Sequence, residues 1–64
     1  MAVTANKTYA HRVSNKTVEV LSVDKVFPSF NKVAYYLLVW FQDKEIGENH
    51  CALEFDFIKE YKEC

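Results

Sequence analysis

Apolar and polar residues alternate with a period of two along much of this chain, which predicts strands. In Lys16–Val23, rich in β-branched residues, the apolar positions run Val18, Val20 and then slip to Leu21, Val23. A slip of one residue predicts a β-bulge or a sharp bend. Thr8–Val13 reads as a shorter strand before it. Ser14-Asn15 supplies the turn, because asparagine tolerates the left-handed backbone. Residues 8–23 therefore form a first hairpin. Asp24–Asn31 is a connection, since Pro28 lacks the amide that a central strand needs. It carries Phe27 and Phe30. The first reading folds both back as a lid over the core, and the alternative presents them to a partner.

Lys32–Gln42 carries the strongest strand signal. Val33, Tyr35, Leu37, Val39 and Phe41 share one face, and Ala34, Tyr36, Leu38 and Trp40 share the other. A strand apolar on both faces is buried on both, or one face is a binding or dimer surface. Asp43–Asn49 holds the only glycine and reads as an acidic hairpin turn. His50–Phe57 alternates as a half-buried strand with Cys51 as a small core residue. From about Asp56 the spacing of Phe57, Ile58 and Tyr61 becomes helical, with Asp56 as the expected cap.

With 64 residues and half of them apolar, the chain makes one compact domain, 1–64, with residues 1–6 as a loose end. The expected fold is mainly β: a small SH3-like (chromo-like) antiparallel barrel of four to five strands with a short C-terminal helix. The stretch Val18–Asp24, then Tyr36-Leu-Leu-Val-Trp40, an acidic turn and Phe57-Ile-Lys-Glu-Tyr61 is similar to the layout of chromo-like domains. The second tryptophan of that family is absent, and Asn49-His50-Cys51 stands in its place. Tyr36 and Trp40 still match residue types of the aromatic cage. The ending Leu53–Tyr61 also resembles that of small SH3-like proteins of phages and prophages. That resemblance implies an accessory or inhibitor protein acting stoichiometrically on a host protein.

Charge adds an asymmetry. Residues 1–42 carry five bases against two acids, net +3, and residues 43–64 carry three against seven, net −4. The longest apolar run, Val33 to Phe41, is far short of the roughly 20 residues of a membrane-spanning helix. No secretion signal is visible at the N-terminus. The expectation is a cytoplasmic protein (host cytoplasm if viral) with no membrane partner and with Cys51 and Cys64 reduced. The Asn6-Lys-Thr8 and Asn15-Lys-Thr17 triplets then read as turn chemistry.

Catalysis finds little support. His11, His50, Cys51 and Cys64 lack metal-ligand spacing, and His50 and Cys51, being adjacent on a strand, face opposite ways. Exposed carboxylates keep pKa values unsuited to general acid work. A single glycine excludes a phosphate-cradling loop. The expectation is a protein-binding module, not an enzyme, with no cofactor and no metal. Its docking residues are Phe27, Phe30, Tyr36, Trp40, Asp43, Glu45 and Glu48, and its partner is a basic protein such as a nucleic-acid enzyme. A homodimer is one alternative. Another is nucleic-acid binding through His11, Arg12 and Lys16, joined by Lys25, Lys32 and a stacking Tyr9, Tyr35 or Tyr36. The slightly negative net charge makes that alternative the weaker one.

Overall fold

The computed structural model describes residues 2–28, 30 and 33–64. Five strands and one helix follow in the order β1 (Thr8–His11), β2 (Thr17–Val26), β3 (Tyr36–Asp43), β4 (Glu48–Leu53), α1 (Glu54–Glu60) and β5 (Tyr61–Glu63). They form one antiparallel sheet, ordered β4-β3-β2-β1-β5, whose edges are β4 and β5.

The turns form where the backbone chemistry permits. Asn15, at φ 63°, reverses the chain between β1 and β2, and Asn6, at φ 64°, leads into β1. Both asparagines of the Asn-x-Thr triplets thus sit in the left-handed region that asparagine tolerates. The His11 side chain completes the first turn, because its Nδ1 accepts from the amides of Val13 and Ser14, each at 3.2 Å. In the β3–β4 turn Gly47 stands at φ +70° with nothing within 4 Å of an added Cβ, so backbone conformation alone selects glycine there.

The phase slip in β2 is a bulge. Val20 pairs with Phe41 and Ser22 with Trp40, which leaves Leu21 as the extra residue. Val18, Val20 and Val23 accordingly face the helix side of the sheet, where the first two are buried and Val23 packs against the core. Leu21 is 42% exposed.

The core is small: Val3, Tyr9, Val18, Val20, Val39, Phe41 and Phe57 are its buried residues. Phe57 is central. Its ring lies 5.0 Å from Phe41, 5.3 Å from Tyr9 in an edge contact, and 4.6 Å from Tyr61 in a stack. A helix of seven residues does not stand alone in water. This one is held by Phe57, with Ile58 and Tyr61 packed beside it. Arg12 secures its far end, donating from Nε (3.2 Å) and Nη2 (3.0 Å) to the Ile58 carbonyl.

Several expectations are corrected here. Alternation stops earlier than the sequence suggested, so that α1 begins at Glu54, with Leu53 as N-cap and no capping side chain. Asp56 therefore lies within the first turn, where its charge favours the helix dipole instead. The helix is also not last, because Tyr61–Glu63 returns as β5 and pairs with β1. Cys51 is exposed, not a core residue. Phe30 is 90% exposed and Phe27 exposed, so neither serves as a lid. Apart from these corrections, the N-terminal segment is anchored at two points: Val3 is buried and its amide donates to Glu54 Oε2 at 2.9 Å, and the Thr4 amide donates to the Tyr9 hydroxyl at 3.0 Å.

Candidate functional site

Helix α1 covers one face of the sheet and leaves the other open. The ladder shows what the open face carries. Trp40 pairs with Cys51 on β4 and with Ser22 on β2, and Leu38 pairs with Leu53 and Asp24. Tyr36, Leu38 and Trp40 alternate with the buried Val39 and Phe41, so they point away from the helix. Trp40 is 40% exposed and Tyr36 44%. Among the described residues no ring or cation stacks on either. With Leu21 and Leu53 they make an apolar face bordered by Glu19, Asp24, Gln42 and Asn49.

The other exposed rings are partly satisfied within the chain. Phe27 leans on Tyr35 at 5.5 Å, and Lys25 Nζ lies 4.8 Å above the Tyr35 ring. Lys59 Nζ lies 5.3 Å above Phe55. Tyr35, Tyr36, Leu37, Glu54 and Phe55 line a shallow open concavity of about 370 Å³ where β3 begins.

The expected docking residues do not form one surface. Tyr36 and Trp40 share the open face. Asp43 pairs with Val18 and Glu48 pairs with Asp43, which turns both acids to the helix side. Glu48 Oε1 lies 2.9 Å from His50 Nε2, and His50 in turn stacks on Phe41 at 5.6 Å. His50 and Cys51 thus face opposite ways, as adjacent strand residues must. Glu45 remains exposed, its amide donating to Asp43 Oδ1 at 2.9 Å. Phe27 and Phe30 lie at the far end, beyond β2.

Two of the basic candidates, Arg12 and His11, are spent on the fold. Arg12 holds the helix end, and the His11 ring takes two turn amides and lies 5.1 Å from Tyr61. Tyr9 is buried and cannot stack on a base, which corrects that expectation. Lys16 and Lys25 are exposed, and Lys32 lies outside the described residues. Among the described residues no group of three His, Cys, Asp or Glu is placed to hold a metal, and no helix is long and apolar enough to cross a membrane.

Among the described residues one ionisable group is shifted. Burial, and then the nearby carboxylates of Glu60 and Asp43, raise the Tyr61 hydroxyl above its ordinary 10.0. A group whose pKa is raised on folding contributes stability fully present below the unfolded value and lost as pH rises through the folded one. Stability is therefore expected to fall above about pH 10. Tyr61→Phe should flatten that decline in alkaline thermal melts, while an unchanged slope would exclude Tyr61 as its source.

Compared with known proteins, the chain matches no family model, no curated sequence and no solved structure.

Proposed function

We propose that this chain is a non-enzymatic protein-binding module that docks through the open face of β2, β3 and β4. The observation that carries the reading is an exposed Trp40 grouped with Leu21, Tyr36 and Leu53 on the sheet face opposite α1, which no other described element covers. Tryptophan and tyrosine supply much contact area for few rotatable bonds, and interfaces concentrate them for that reason. Glu19 and Asp24 beside this face, and Glu45 and Glu48 at the turn, suit a partner with a basic surface. In this reading the strand order β4-β3-β2-β1-β5, with a helix before the last strand, is that of a small SH3-like barrel left open between β4 and β5. Nucleic acid is the weaker reading because Arg12 and His11 already serve the fold.

Capture from a nuclease-treated lysate tests the proposal. Binding should survive nuclease treatment, and Glu19→Lys with Asp24→Lys, the acids that border the open face, should slow association severalfold. Arg12→Glu with Lys16→Glu, checked for folding, should leave association unchanged. Loss of capture with nuclease, or dependence on the basic pair alone, would establish the nucleic-acid reading instead.

A further inference from the structure

The edge of the sheet next to Trp40 is unusually unprotected. Natural edge strands are blunted by lysine, proline, a bulge or shortness. The edge strand β5 follows that rule, with three residues that include Lys62 and Glu63. The other edge, β4, does not. It runs for six residues, Glu-Asn-His-Cys-Ala-Leu, in unbroken register with β3 from Asp43 to Leu38. Its first four residues are exposed. Its open-face side chains, Cys51 and Leu53, sit directly beside Trp40 and Leu38. A strand added here would gain backbone hydrogen bonds from β4, and its alternate side chains would lie beside Cys51 and Leu53, extending the open face that carries Trp40.

Charge selects the occupant. Acids stand at both ends of β4: Glu45 before it and Glu48 as its first residue, Glu54 and Asp56 after it. A second copy paired antiparallel about a twofold axis at Cys51 keeps each face on its own side and would set Glu48 opposite Glu54 of its mate at both ends of the ladder. Like charges so placed oppose pairing. A basic segment meets opposite charge at both ends.

We propose that β4 accepts an extended basic segment of a partner protein as a sixth strand, by β-strand addition. This rests on the protein-binding reading above and adds the place and backbone geometry of the contact.

The probe is a capped heptapeptide alternating lysine and valine, with lysine at both ends, titrated into the Cys64→Ser chain. Two controls accompany it: the same peptide with glutamate for lysine, and the basic peptide N-methylated at alternate residues so that one edge cannot donate. The lysine peptide should shift the amide resonances of Glu48–Leu53 and the Trp40 indole, and slow the reaction of Cys51 with a thiol reagent at least fivefold. The glutamate peptide should bind at least tenfold more weakly. Methylation on the edge facing β4 should abolish the effect. Equal binding by the methylated and unmethylated peptides, or shifts centred on Tyr35 and Phe55, would overturn strand addition while leaving docking through Trp40 standing. No response to any peptide overturns it too, and lysate capture by Trp40→Ala then judges the docking reading separately. Concentration-dependent protection of the same amides without peptide would give the edge to a second copy, against the proposal.

Discussion

Phe57→Ala is expected to unfold the domain. Phe57 is 1% exposed and touches the rings of Tyr9, Phe41 and Tyr61, so truncation removes the common neighbour of every other buried aromatic. Cutting a buried phenylalanine to alanine costs about 3–5 kcal/mol. A chain of 64 residues has a total stability of only about 3–10 kcal/mol. The loss also frees α1, which has no other buried residue to hold it. Urea titration followed by circular dichroism measures the effect. A midpoint close to wild type would mean that the ring cluster is not the centre of the core.

The second large effect falls on binding and spares the fold. Trp40→Ala on the open face is expected to cost only about 1–2 kcal/mol of stability, because part of its surface already meets water. The same change should weaken the partner complex at least about 30-fold, the scale of an interface hot spot. Trp40 is the only tryptophan, so its emission also reports docking directly and should shift to the blue as the partner covers it. A variant that binds its partner as tightly as wild type would remove Trp40, and the open face with it, from the docking surface.

The comparison of these two aromatics shows what the sequence could disclose. The strands of the meander, the slip at Leu21 and the turn at Asn15 were all legible, because period and turn chemistry are local. Both faces of β3 read as apolar, but the period alone could not tell which one α1 would cover. Cys51 fits the alternation of a core residue, and only its position opposite Trp40 on the uncovered side explains its exposure. Strand β5 left no local signal: Tyr61-Lys-Glu63 extends as a strand because β1 offers it a ladder, a long-range cause. The same holds for Arg12, which reads as a phosphate ligand until the Ile58 carbonyl appears in front of its guanidinium. The acidic turn was visible as a block, yet the sequence did not show that Asp43 and Glu48 turn to the side away from Trp40.

The β1–β5 ladder, which joins Tyr9 to Glu63, also sets the order in which the fold assembles. The hairpins of β2 with β3 and β3 with β4 close short loops, whereas β1 meets β5 only when nearly the whole chain has been gathered. Closing a loop of that length costs about 3.5 kcal/mol in chain entropy. The β2–β3–β4 meander is therefore expected to form early, and β5 to dock late, together with the packing of Phe57. Amide exchange should run in the reverse order, with Tyr61–Glu63 and the Cys64 amide that donates to Thr8 exchanging ahead of Val20 and Val39. The surface proposed for partner recognition is thus expected to belong to the half of the domain that forms first and opens last.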